Sequence, residues 1–183
     1  MHRIEHLRPW QRKAIAILSA NRCQLLGAQP GAGKTITVLT AIAQHPVRTL
    51  LVAPSVVLNT VWPVEASRWE HTQHLVFTMA HHHSGSDRAN LWMRGPGHII
   101  TATCDTLHKL VGVIHQQREL PFGRLVVDEA QFFKNAAATR TAALHALAEH
   151  VPTWLVSGSP APNGVLDCWS PGRIASGHGE FWQ

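Results

Sequence analysis

Residues 28–35 read A-Q-P-G-A-G-K-T, directly after the apolar run C-Q-L-L-G at 23–27. An apolar run, a Gly-rich turn and a helix-like segment in succession constrain the fold more than anything else in the chain. Gly31 and Gly33 permit backbone angles and a closeness of approach that a side chain would block. Several N–H groups, Ala32 included, can then face one point, and the following helix adds its positive end. That arrangement suits a nucleotide's phosphates. Lys34 can reach the β- and γ-phosphates, and the Thr35 hydroxyl can bind Mg²⁺. Ala28 stands where the strict pattern takes Gly.

The rest of the chain repeats the strand-then-helix rhythm. Short apolar segments at 24–27, 48–53, 98–102, 124–127 and 153–157 read as buried strands. Segments 34–44, 56–69, 104–117 and 136–149 read as helices. This alternation predicts an α/β domain with a mainly parallel central sheet covered on both faces, a three-layer arrangement. Ligands in such sheets bind beyond the carboxyl ends of the strands. Residues 78–97, with His81, His82 and His83 and several glycines, read as an exposed loop around a short helix.

A second site follows the strand at 124–127. Leu125, Val126 and Val127 bury the strand and deliver Asp128 to its exposed end, with Glu129, Ala130 and Gln131 after it. Asp128 is suited to hold Mg²⁺, and Glu129 to orient and polarise an attacking water.

Composition narrows the partners. A length of 183 residues suits one domain with a real core, and a net charge of +5 favours a polyanion. No apolar stretch approaches the ~20 residues that span a bilayer. The N-terminal residues lack a signal-peptide core, so the expected location is the cytoplasm, with no membrane partner. Three separated cysteines, Cys23, Cys104 and Cys168, fit neither a disulfide framework nor a zinc ribbon. The three adjacent histidines lack supporting ligands and read as a solvated loop rather than a metal site.

In order along the chain, these motifs resemble those of superfamily 2 helicases, and more closely the Swi/Snf-type, DEAD/DEAH-like translocases, including short phage and bacterial forms. The resemblance covers roughly residues 6–170. Residues 7–11, L-R-P-W-Q, resemble the adenine-recognition motif, with Gln11 reading the base edge and Trp10 beside it. Residues 28–35 fit the helicase form A-x-x-G-x-G-K-T of motif I. Residues 51–55 with 62–65 resemble motif Ia, and 100–103 with 105–107 the motif beside the DNA path. Residues 128–135 fit motif II, and 155–163 with 166–170 resemble motif III, where Ser157 and Ser159 replace the family's commoner Thr.

The resemblance implies a RecA-like P-loop NTPase domain over residues 1–170, with 171–183 as the start of an inter-lobe tail. It implies ATP and Mg²⁺ as cofactors and duplex DNA as the partner. Lys34, Asp128 and Glu129 become the catalytic residues; Gln131, Ser157, Gly158 and Ser159 couple nucleotide state to DNA. Ser55, Thr101 and Thr103 become candidate phosphate contacts on the DNA, with Lys134 and Arg140 as further cations. Family members close the site with a second RecA-like lobe bearing an arginine finger, which can be worth ~10³–10⁵ in rate. Such a lobe does not fit in the residues after 170, so it is expected from elsewhere, in cis or in trans. Two other readings stay open: a viral DNA-packaging-type ATPase, and a non-catalytic nucleotide- or DNA-binding regulatory fragment.

Overall fold

The computed structural model describes residues 1–135, 137–158 and 172–174. Its strands are β1 (Cys23–Gly27), β2 (Thr49–Val52), β3 (Phe77–Thr78), β4 (Ile99–Ala102), β5 (Arg124–Val127) and β6 (Thr153–Ser157). They form one sheet in the order β1-β6-β5-β2-β4-β3, parallel at every pairing.

Side chains alternate across the strands, as a period of two requires. Leu50, Val52, Leu125, Val127 and Leu155 enter one core, while Leu51, Val126, Trp154 and Val156 enter the other. The first core is covered by α5 (Gly85–Arg94), α6 (Leu107–Gln117) and α7 (Thr139–Ala148), through Trp92, Leu107, Leu110 and Leu144. The second is covered by α1 (Pro9–Ala20), α2 (Lys34–Gln44), α3 (Ser55–Thr60) and α4 (Trp62–Arg68), through Leu18, Leu39, Leu58 and Trp62. Each fully buried aliphatic side chain contributes roughly 1.5–3 kcal/mol. Two apolar layers on one sheet give the expected three-layer α/β fold.

Several local expectations change. The single helix read over 56–69 is two, meeting at Val61, because Pro63 near the start of α4 has no N–H to continue the ladder. The helix read from 104 begins at Leu107; Thr106 first closes a turn, its hydroxyl accepting from Thr103 N at 3.1 Å. Helix α1 was not read from the sequence, although Pro9 opens it and Gln11, Ile15 and Leu18 lie on its buried face. The segment 78–97 is not mainly loop: α5 fills ten residues of it and buries Trp92 and Met93. Four tryptophans, Trp62, Trp69, Trp92 and Trp154, are buried, as core packing requires.

Candidate nucleotide site

The strand order decides the site. Strand β6 lies between β1 and β5, with Gly27 opposite Ser157 and Val127 opposite Leu155. The loops after β1, β6 and β5 therefore leave the sheet side by side, and residues far apart in the chain meet at one edge.

Beyond β1, the loop turns through Gly31 at φ +76° and Gly33 at φ +92°, the left-handed region that favours glycine. A Cβ at Gly33 would stand 2.6 Å from Gln11 Nε2. Gly33 is thus required twice, by its angle and by the closeness of Gln11. Gln11 is buried and braces the loop: Nε2 donates to Gly33 O at 3.1 Å, while Oε1 accepts from Arg8 N at 2.7 Å. Lys34 folds back, its Nζ donating to Ala28 O at 2.7 Å and Gln29 O at 3.1 Å. Thr35 follows in the first turn of α2, half-buried.

A cleft of about 280 Å³ opens beside Gly31, Ala32 and Gly33, walled also by His6, Arg8, Gln11, Glu65 and Trp69. Trp10 is not among its lining residues. The aromatic wall is Trp69, which stacks on His2 with ring centroids 4.9 Å apart and donates Nε1 to Glu65 Oε1 at 3.0 Å. The sequence motif pointed to Trp10 because it adjoins Gln11; only the packing of α4 brings Trp69 across.

Beyond β5, Asp128 is buried, and burial pushes its carboxyl above the usual range. Two donors pull the other way: Trp62 Nε1 to Oδ2 and Glu129 N to Oδ1, each at 2.9 Å. Glu129 adopts left-handed backbone at φ +55°, unusual for a residue with a Cβ, and strain of this kind clusters at functional sites. Gln131 Nε2 donates to Glu129 Oε2, and Gln131 Oε1 accepts from Ser157 Oγ at 2.8 Å. Beyond β6, the Cβ position of Gly158 lies 3.8 Å from Lys34 Nζ. One side-chain chain, Ser157 to Gln131 to Glu129, therefore joins the ends of β6 and β5, and Gly158 abuts the lysine. Ser159, residues 160–170 and the tail after 174 lie outside the described residues.

The Asp128 carboxylate and the Thr35 hydroxyl are hard oxygen donors, and this donor set fits Mg²⁺. Among the described residues no cluster of three His, Cys, Asp or Glu offers another metal site, and no helix is long and apolar enough to cross a membrane.

The DNA-facing candidates separate. Ser55 is exposed at the start of α3. Thr103 is half-buried, its hydroxyl paired with that of Thr106 at 2.9 Å. Thr101 is fully buried: its hydroxyl donates to Thr78 O at 3.1 Å and pairs with His81 Nδ1 at 2.7 Å. The Thr101 side chain therefore cannot face a polymer, a correction that follows from its position inside β4. His81 is correspondingly no solvated loop residue. Both ring nitrogens have neighbours, Nδ1 the Thr101 hydroxyl and Nε2 the Asn59 side-chain amide at 2.8 Å. Burial, then the neighbouring His82, pushes the His81 pKa down to about 4. Arg140 is engaged by Phe132 O at 2.9 Å and Asp105 at 3.5 Å.

The family profile of the SNF2-related domain matches residues 10–170. The chain belongs to the SNF2-related family. It is 31% identical over 176 residues to protein p41 of Acyrthosiphon pisum secondary endosymbiont phage 1, covering 88% of this chain and 37% of that protein. It is 25% identical over 202 residues to the mouse DNA repair and recombination protein RAD54B, covering 96% of this chain and 22% of that one. The chain thus spans little more than a third, or less, of these relatives. The fold is similar to that of the Sulfolobus solfataricus SWI2/SNF2 ATPase core in complex with dsDNA, with a TM-score of 0.72 at 24% identity over 96% of this chain and 37% of that chain. Within the SNF2-related family, this chain is the N-terminal RecA-like lobe.

Sequence reasoning missed two residues of the site. Trp62 stands in the sequence only as part of a motif, yet a buried indole N–H needs an acceptor, and here it finds Asp128. Trp69 carried no signal, because its place in the cleft depends on where α4 docks.

Proposed function

We propose that this SNF2-related lobe binds ATP with Mg²⁺ at the edge formed by β1, β6 and β5, and serves a DNA-dependent ATPase or translocase. One observation carries the reading: the order β1-β6-β5 brings the loops that carry Lys34, Asp128 and Ser157 side by side, with Glu129, Gln131 and Ser157 joined by side-chain hydrogen bonds.

Lys34 exchanges its carbonyl partners for phosphate oxygens. Gly31, Ala32 and Gly33 present backbone N–H groups to the phosphates, and Gln11 stands at the mouth of the cleft that takes the base. Thr35 and Asp128 hold Mg²⁺, which, when bound, neutralises charge on the phosphates. Glu129 orients the attacking water as general base, its carboxylate steadied by Gln131 Nε2. Gln131, Ser157 and Gly158 report the state of this edge to the polymer-binding face, together with Ser159. Ser55 and Thr103 contact phosphates of duplex DNA, so binding is insensitive to sequence and sensitive to salt. The SWI2/SNF2 core solved with dsDNA and the net charge of +5 support that partner.

A second RecA-like lobe, in cis or in trans, supplies the arginine that makes hydrolysis fast. The lobe itself comprises residues 1–170, and 171–183 begin the passage to its partner. Binding of a fluorescent ATP analogue to the purified chain tests the reading. Mg²⁺-dependent binding that Lys34→Ala removes is the expected result; equal binding by both proteins overturns it. Fast DNA-stimulated turnover by residues 1–183 alone, abolished by Lys34→Ala, would overturn the requirement for a second lobe.

A further inference from the structure

Trp62 is fully buried, and its one polar atom is committed to the carboxylate at the centre of the site. The two residues stand 66 positions apart, at the start of α4 and the end of β5. The rest of the indole lies in the core cluster that contains Leu51, Leu58 and Val126. The ring therefore cannot turn without opening that core, and it presents a donor of fixed direction. Asp128 is restrained on its other atoms as well: its N–H donates to Val52 O at 2.8 Å and its Oδ1 accepts from Glu129 N. Trp62 thus completes the fixing of the carboxylate plane, and it does so from the start of α4, in the segment 62–65 that resembles motif Ia.

We infer that Trp62 is a positioning residue, whose indole N–H holds the Asp128 carboxylate in the orientation that takes the nucleotide-bound divalent cation. The inference rests on the nucleotide reading above and adds to it a residue that never touches nucleotide. Hydrogen bonds that orient metal-binding carboxylates are worth roughly 10–100-fold in metal affinity. A purely structural indole, placed only to fill the core, would leave metal affinity untouched.

Trp62→Phe keeps an aromatic filler and removes the N–H. Mn²⁺ bound by the full chain in complex with ADP, beyond that held by ADP alone, is counted by electron paramagnetic resonance. ADP binding without metal is measured in parallel. The expected result for Trp62→Phe is a loss of Mn²⁺ affinity of roughly 10-fold or more, with metal-free ADP binding retained. Asp128→Asn is the reference for complete loss of the ligand. Wild-type Mn²⁺ affinity in Trp62→Phe, with loss in Asp128→Asn, overturns the role of Trp62 and leaves the nucleotide reading standing. Absence of Mn²⁺ binding by the wild-type ADP complex overturns both. Should Trp62→Phe fail to fold, Trp62→3-benzothienylalanine, which matches the indole in shape and lacks only the N–H, gives the same two outcomes.

Discussion

Strand β5 begins at a buried cation and ends at a buried anion, and the two ends of this one strand are satisfied in different ways. At the start, Arg124 stacks over the Trp154 ring at 4.4 Å and donates Nη2 to His45 O at 2.9 Å. Burial lowers its pKa to about 10. Its partners are an aromatic face and a backbone carbonyl, and its Nη1 is buried with no hydrogen-bond partner among the described residues. At the far end, Asp128 is held by N–H donors on both oxygens, each of which keeps further lone pairs, at the edge where Gln131 joins the ends of β5 and β6. Arg124 lies at the end of the strand opposite the candidate site and serves packing. Asp128 lies at the site's own edge, oriented by N–H donors, and serves chemistry.

The largest effect expected from this contrast is at Asp128. In the protein completed by its second lobe, Asp128→Asn lowers turnover on the order of 10²–10³-fold by removing charge stabilisation at the phosphates. It shifts the melting temperature little, because removal of a buried charge is offset by the acceptor lost to Trp62 Nε1 or Glu129 N. Paired ATPase and thermal-melt measurements check this, and near-normal turnover would break the contrast. Arg124→Ala does the opposite. It costs ~2 kcal/mol or more in urea unfolding, from lost packing against Trp154, and leaves nucleotide affinity unchanged. Lost affinity at preserved stability would move Arg124 into the functional class.

Ser157 sharpens the comparison from a third strand. Ser157→Ala removes the hydrogen bond to Gln131, worth ~1 kcal/mol or about fivefold in turnover, whereas Ser157→Thr keeps the hydroxyl and the rate. Steady-state ATPase rates of the two variants separate a hydrogen-bonding role from simple packing.

The smallest effect is expected at His81, whose folded pKa is depressed from its ordinary 6.5 to about 4. Below pH 6.5 the unfolded chain takes up a proton that the folded state refuses, so stability present above that pH is lost as the pH falls towards 4. The melting temperature therefore declines across this window, and less steeply in His81→Asn. Equal slopes would show that proton uptake by His81 does not carry this loss of stability.

Much of the nucleotide edge was legible in the sequence because its chemistry is local. The spacing of Gly31, Gly33, Lys34 and Thr35 is set by one turn, and helix α2 spans the predicted residues 34–44. Strands β5 and β6 coincide with the apolar runs 124–127 and 153–157 for the same reason: a strand buried on both faces reads as an unbroken run. The polymer-facing residues were less legible. Thr101 and Thr103 have the same residue type and neighbouring positions in a motif, but Thr101 lies within β4, which is buried along its whole length, and Thr103 lies beyond the strand end. Sequence position alone carries no record of which hydroxyl the fold encloses.

The sequence by itself determined that this chain is an α/β domain with a Gly-rich strand-to-helix turn and an acidic strand end, since both are short-range patterns of backbone freedom and charge. Tertiary structure alone decided that β6 inserts between β1 and β5, so that Ser157 reaches Gln131. It also decided that α4 docks where Trp69 walls the cleft and Trp62 meets Asp128. Those contacts join residues brought together by burial of two apolar faces, and burial is a property of the whole sheet rather than of any segment of the chain.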